Sequence, residues 1–223
     1  MRRKYCERDC MLAQKIKQVK SLIDAVAKEP VTIVAATKTV SVDVIRQLPA
    51  LGINIAGENR AQEFIAKQPY APQLEWHFIG QLQTNKVRQI IDTVSMIQSV
   101  DRMRLANIIQ AEAERVGRVV DVLIEVNAGN EESKGGVEIG QAGILAREVA
   151  KLSNIRVRGI MAVMPIDADD SMYRQIKELF DGFKARCNQI DYLSMGMSGD
   201  YIKAIKCGAN MVRLGSVIFG ERV

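Results

Sequence analysis

A single histidine, four cysteines and no run of eighteen apolar residues narrow what this 223-residue chain can be before any motif is read. Without such a run no segment can cross a bilayer as a helix, and the charged start MRRKYCERDC has no apolar stretch behind it to direct secretion. The expectation is a cytoplasmic protein whose cysteines stay reduced. Cys6 and Cys10 share a helix face at i and i+4 and offer two metal ligands. No third cysteine is near and His77 is the only histidine, so the ligand set of a structural zinc is incomplete and no metal is expected. Glycine and proline are not enriched, and no linker or low-complexity tract interrupts the chain. The net charge of +5 and the pI near 9.0 come from lysines and arginines scattered along helices that also carry acids. No recognised nucleic-acid motif accompanies them, so neither nucleic acid nor membrane is an expected partner.

What is present is 48% hydrophobic sequence in one regular rhythm, enough to bury a full core. Apolar strand-like runs begin near Val31, Ile53, Glu75, Met96, Val119, Ile155, Tyr192 and Asn210. Between them lie helical stripes over 61–68, 85–92, 101–116, 141–152, 171–188 and 201–207. Strands that alternate with helices at this spacing are parallel, because each helix is the crossover that parallel pairing needs. Eight such units predict a (β/α)8 TIM barrel. An open doubly wound sheet is the alternative, since periodicity cannot show whether the first strand pairs with the eighth. Leu12, Ile16, Val19, Ile23 and Val26 mark an extra amphipathic helix over 7–28, ended by Pro30. The expected organisation is one domain over 1–223, with residues 1–30 packing on the barrel.

In a barrel of this kind functional groups gather where strands end, so the strand-terminal residues can be read as a set. The stretch VTIVAATKTVS, residues 31–41, is a buried strand of β-branched residues and alanine that ends by expelling Lys38, after which Ser41 and Asp43 offer helix-capping chemistry. The second strand ends in Gly57, Glu58, Asn59 and Arg60, and the third contains His77. The fifth runs to Asn127 and is followed by EESKGG, where Lys134 is a second amine. The seventh, through Met195, Ser198 and Gly199, forms a glycine-bearing turn that enters a helix and suits an anion. The eighth ends in Arg213 and Gly215 before one short helical turn, and phosphate sites in this fold recur after strands seven and eight. Barrel closure would set the lysine of strand one beside that cradle. A carbonyl compound bearing a phosphate fits, either pyridoxal 5′-phosphate (PLP) or the sugar phosphate of a Schiff-base aldolase.

The motifs VAATKTV, GENRAQE, WHFIGQLQTNK, SVD, EESKGG, RGIM, SMGMSGD and MVRLGSVIFGER span nearly the whole chain in this order. As a set they resemble the pyridoxal phosphate homeostasis proteins, in which an alanine-racemase-like barrel stands alone. The resemblance implies a Schiff base between PLP and Lys38, a phosphate held by Ser198, Gly199 and Gly215, Arg213 facing the pyridine nitrogen, and Asn59 and His77 around the ring. Met195, in the same turn as Ser198, is counted with the cofactor-binding positions, although the methionines also read as adaptable core filling. His77, flanked by Trp76 and Phe78, reads equally as a core histidine. Lys134 is the candidate secondary amine for transfer. An arginine at the ring nitrogen donates but does not give up its proton, so the ring stays a weaker electron sink than an aspartate would make it. The implied function is PLP homeostasis by a monomer that buffers the cofactor or supplies it to apo-enzymes, with indirect effects on amino-acid metabolism. The alternative is a low-activity fold-type III PLP enzyme, a racemase or lyase. Two-base racemisation needs a second acid–base group opposite the lysine, and no catalytic residue is expected here.

Overall fold

The computed structural model describes residues 2–129 and 135–220. Lys134 lies outside them. The chain begins with α1 (Arg2–Asp24) and then alternates through β1 (Thr32–Ala36), α2 (Val42–Ile45), β2 (Ile55–Glu58), α3 (Ala61–Lys67), β3 (Glu75–Phe78), α4 (Val87–Ile90), β4 (Met96–Val100) and α5 (Met103–Arg115). It continues through β5 (Val120–Asn127), β6 (Val137–Glu138), α6 (Ile139–Val149), β7 (Ile155–Ala162), α7 (Asp170–Lys184), β8 (Tyr192–Met197), α8 (Tyr201–Lys206), β9 (Met211–Leu214) and α9 (Ser216–Phe219).

All strand pairs are parallel, in the order β4-β3-β2-β1-β9-β8-β7-β5, and β4 also pairs with β5. That last pairing closes the ring, so the fold is the eight-stranded barrel and not the open sheet. The junction β1–β9 runs in register from Thr32 opposite Met211 to Ala35 opposite Leu214. The two-residue β6 pairs in parallel with the end of β5 and is too short for any sequence period to announce.

Alternation along each strand sorts the side chains into two layers. Val34, Ile79, Met96, Leu123, Met161 and Met211 face inward and fill the barrel. A Cβ on Gly57 would lie 2.8 Å from Val34 and 2.9 Å from Ile79, so this interior is packed rather than hollow. The outer layer holds Ala35, Ala56, Trp76, Phe78, Ile97 and Leu193 against the helices, with Phe64 of α3 edge-on to Trp76 at 5.6 Å. The apolar stripes meet this layer through Leu105, Ile109 and Ala113 of α5 and Tyr173, Ile176, Phe180 and Phe183 of α7. Asp169 caps α7 by accepting from the N–H groups of Ser171 and Met172.

Several boundaries differ from the sequence expectation. The first helix stops at Asp24, six residues before Pro30, while Leu12, Ile16, Val19 and Ile23 are buried and the helix packs on α8 and α9. Ser41 stands at the start of α2, but its hydroxyl makes no capping bond. The fourth helix is one turn preceded by the tighter turn Thr84–Lys86.

Candidate functional site

The carboxyl ends of the strands bring most of the predicted groups to one mouth. Lys38 lies two residues beyond β1, half-buried, with the parity of the inward-facing Val34 and Ala36. Thr39 follows at φ 64°, and among the described residues it is the only non-glycine with positive φ. For a β-branched residue that conformation costs on the order of 1–3 kcal/mol and persists only where the surroundings enforce it.

Here they do. The Thr37 carbonyl accepts from Lys67 Nζ at 2.8 Å, and the Thr39 N–H donates to Glu63 Oε2 at 2.8 Å. Lys67 also binds Glu63 and Glu58 at 2.7 Å each, and Thr37 Oγ1 donates to Glu58 Oε1 at 2.6 Å. Burial raises the Glu58 pKa despite the hydrogen bonds from Lys67 and Thr37, and Glu58 Oε2 is buried with no partner. Burial works upward on Glu63 too, but the bonds from Lys67 and Thr39 outweigh it and lower its pKa.

Across the β1–β9 junction lies an oxygen-seeking cup. The N–H of Gly215 donates to Ser198 Oγ at 3.1 Å and that of Val217 donates to it at 3.3 Å. The turn leading there is braced by Asp200, which accepts from Met197 N–H at 2.6 Å and from the Tyr173 hydroxyl at 2.7 Å. Gly196 sits at φ 102°, and a Cβ there would come within 2.7 Å of Ala204 and 3.0 Å of Tyr201 Cα, so only glycine fits this bend. Gly199 is exposed at the tip.

Inside the barrel, Arg213 is wholly buried. Its Nη1 donates to the Ser194 carbonyl and hydroxyl at 2.9 and 2.8 Å, and its Nη2 to the Ala162 carbonyl at 2.9 Å. No hydrogen bond engages its Nε among the described residues. Ser194 Oγ then donates to Gln98 Oε1 at 2.7 Å, and Gln98 Nε2 lies 3.0 Å from His77 Nδ1. Because the amide nitrogen is the donor, Nδ1 accepts and the histidine proton sits on Nε2. Burial lowers the His77 pKa to about 3, so the ring is neutral. Burial also lowers Arg213, to about 10, against the pull of Glu125 and Asp200, which leaves it protonated at neutral pH.

Glu125 lies on the wall opposite Lys38: in the ring, β5 is four strands from β1 in either direction. Its Oε2 is buried without a partner, and burial together with Asp101 raises its pKa to about 7.

A family model described as the alanine racemase N-terminal domain matches residues 11–223. A pyridoxal phosphate homeostasis protein of Aquifex aeolicus is 44% identical over 197 residues, 85% of this chain and 86% of its own length. This chain belongs to the pyridoxal phosphate homeostasis protein family. PipY of Synechococcus elongatus, a structure with PLP bound, is 28% identical with a TM-score of 0.82 over 94% of this chain and 100% of its own. An alanine racemase of Clostridium difficile shares the fold at a TM-score of 0.77 and 16% identity, covering 97% of this chain but 57% of that one.

In this homeostasis-family barrel, Lys38, Ser198, Arg213 and Gly215 lie on the adjoining strands β1, β8 and β9 or just beyond their ends, and Asn59 is exposed just past β2. Two positions for which the sequence left a core role open are both packed in the protein. The Met195 side chain is fully buried in the outer layer, because alternation turns its neighbour Ser194 inward and Met195 toward the helices. His77 does face the interior, where Gln98 satisfies it as a core histidine. Sequence reading missed Gln98, Ser194, Glu125, Thr37, Glu63 and Lys67, and named Glu58 only as a polar residue at the end of the second strand. A signal existed for the first three: each is a polar residue at an inward position of a barrel strand.

Proposed function

We propose that this protein is a carrier of PLP that holds the cofactor covalently at Lys38 and supplies it to enzymes that need it, so that its effect on amino-acid metabolism is indirect. The observation that carries this reading is the cup beside the lysine: two backbone N–H groups just past the end of β9, the strand paired with β1, converge on one oxygen. Donors that converge on a hydroxyl oxygen also suit a phosphate oxygen, which adds charge to the same contact.

The residues fit the cofactor end by end. Ser198, Gly199 and Gly215 would hold the phosphate. Arg213, with Nε uncommitted, would face the ring nitrogen, with Asn59 at the rim and His77 acting from below through Gln98. When bound, PLP supplies an aldehyde that condenses with amines and a ring that withdraws electrons. Arg213 can donate to such a ring but gives it no proton, which keeps that withdrawal weak.

In the racemases that this barrel resembles a tyrosine supplies the second base, and binding without turnover accords with where the tyrosines lie among the described residues. Tyr192 opens β8, Tyr70 lies in the turn before β3, and Tyr201 is buried on α8. The Tyr173 pKa is raised by burial and by its bond to Asp200, the opposite of what a base requires. One feature favours the competing reading of a slow racemase or lyase: on the wall opposite Lys38, Glu125 holds a buried carboxylate oxygen without a partner, and burial pushes its pKa up to about 7.

Purified protein loaded with PLP is expected to be yellow, and borohydride should fix the cofactor to the Lys38 peptide. The same absorbance band in Lys38→Ala would refute the assignment. Deuterium exchange at the α-carbon of amino acids above the level of free PLP would favour the slow enzyme. The same reading makes the protein a cytoplasmic monomer whose partners are apo-enzymes, checked by size exclusion with and without PLP. Lys134→Ala should slow transfer of PLP to an apo-enzyme; equal rates remove Lys134 from the scheme.

A further inference from the structure

We propose that α3 clamps the turn carrying Lys38, with Glu63 and Lys67 as positioning residues that fix where its amine points. The inference deepens the PLP reading and rests on it. The two peptide groups that flank Lys38 are held from the same helix. Lys67 Nζ grips the carbonyl of the Thr37–Lys38 peptide, and Glu63 Oε2 takes the N–H of the Lys38–Thr39 peptide, at 2.8 Å each. Those peptide planes set the direction of the Lys38 side chain. Glu63 and Lys67 are one turn apart on α3 and paired at 2.7 Å, so the two grips move together.

The turn needs such a hold. Val40 N–H closes it on the Thr37 carbonyl at 2.9 Å, and the closure is made with Thr39 at φ 64°, a conformation a threonine leaves when nothing enforces it. Glu58 supplies the back of the clamp. It faces away from the barrel interior, and its Oε1 receives both Thr37 Oγ1 and Lys67 Nζ. Glu58 lies on the outer face of β2, on the other side of the wall from the inward parity of Lys38, and Glu63 and Lys67 reach the turn from α3 outside the barrel, so the clamp acts on the backbone and leaves the mouth to the ligand.

The test is the PLP dissociation constant and the borohydride-fixed fraction at Lys38 in four proteins: wild type, Glu63→Ala, Glu63→Gln and Glu63→Ala/Thr39→Gly. Glu63 is at the edge of the network, and Lys67 keeps Glu58 as a partner when it is removed. Glu63→Ala is expected to weaken PLP binding about tenfold, equivalent to about 1.4 kcal/mol. Glu63→Gln keeps an acceptor for the Thr39 N–H and should stay within about threefold of wild type. Thr39→Gly in the alanine background should restore most of the loss, since glycine takes positive φ without being held. Glu63→Ala binding as well as wild type, glutamine falling as far as alanine, or no recovery with glycine would each overturn the clamp. Failure of wild type itself to fix PLP at Lys38 would instead overturn the carrier reading.

Discussion

The two sides of the barrel wall solve the problem of buried polarity differently. Inside, Arg213, Ser194, Gln98 and His77 form a line in which one charge is passed to carbonyls and neutral dipoles. Outside, Glu58, Glu63 and Lys67 place three ionisable groups around Thr37, with one oxygen of Glu58 taking two donors and the other taking none. The inner line holds a charge in place with little freedom to retitrate. The outer cluster holds a backbone shape, and its charges are adjustable by a proton. The contrast follows from what each must do: a ring nitrogen needs a fixed donor, whereas a turn needs only to be gripped.

Breaking the outer cluster at its centre should have the largest effect. Lys67→Met strands two carboxylates, one of them fully buried, and removing one partner of a buried pair costs about 3–5 kcal/mol. That cost is expected to depend on pH. The Glu58 pKa is already raised, and without Lys67 it rises further, so the penalty is present at neutral pH and fades as pH falls and the carboxyl takes up a proton. Urea denaturation at pH 7 and pH 4.5 should show the gap to wild type narrowing with acid. An unchanged gap would mean that the cluster is not proton-adjustable.

The two titratable groups of the barrel interior give a second test. Glu125 is raised from 4.5 to about 7, so the folded protein binds the extra proton between those values and stability falls as pH rises through that window. His77 is lowered from 6.5 to about 3, so the unfolded chain binds the extra proton and stability rises with pH from about 3 to 6.5. The slopes cancel between 4.5 and 6.5, which predicts a rise, a plateau and a slight fall near 7 in the ligand-free protein. Glu125→Gln should remove the opposing slope and add about 3 kcal/mol at pH 7 while adding little at pH 4.5. Equal gains at both pH values would contradict the origin assigned to the shift.

The inner line, in contrast, should respond to deletion without regard to pH above about 6.5. Gln98→Leu leaves Ser194 Oγ without its acceptor and His77 Nδ1 without its donor, at about 2–3 kcal/mol in denaturant titration. A loss that grows or shrinks from pH 6.5 to pH 8 would place a titrating group in the line and dissolve the contrast with the outer cluster.

What could be read ahead of the structure divides along the same wall. The barrel was legible because its signal is repeated: eight apolar runs, each within about two residues of an observed strand start, separated by stripes of helical period. Lys38 and the Ser198, Arg213 and Gly215 group were legible because they interrupt apolar strands at their ends. Gln98 was harder to read: its amide interrupts the run MIQSV, but nothing local shows that it faces the barrel interior and joins Ser194 to His77. The outer cluster was invisible for a different reason. Glu63 and Lys67 look like the ordinary charges of a helix and Glu58 like a polar strand end, and only the packing of α3 beside β2 brings them together at Thr37 and Thr39. Met195 reads both as a cofactor-binding position and as core filling, and the glycine-bearing turn that follows it hides which face of β8 it takes; the structure turns it toward the helices.

The smallest expected effect tests the cup itself. Ser198 Oγ is the only part of the cup contributed by a side chain; Gly215 and Val217 offer backbone N–H groups that no substitution removes. Ser198→Ala therefore leaves those two donors aimed at an oxygen site while deleting one hydroxyl. The loss in PLP affinity should be about tenfold, near 1.4 kcal/mol. Inorganic phosphate should compete with PLP more weakly in the variant than in wild type. The Lys38 linkage, formed at the other end of the ligand, should keep its absorbance maximum at saturating PLP. A shifted maximum would mean that the anion contact and the amine are not separable, and that the cup also shapes the turn on β1.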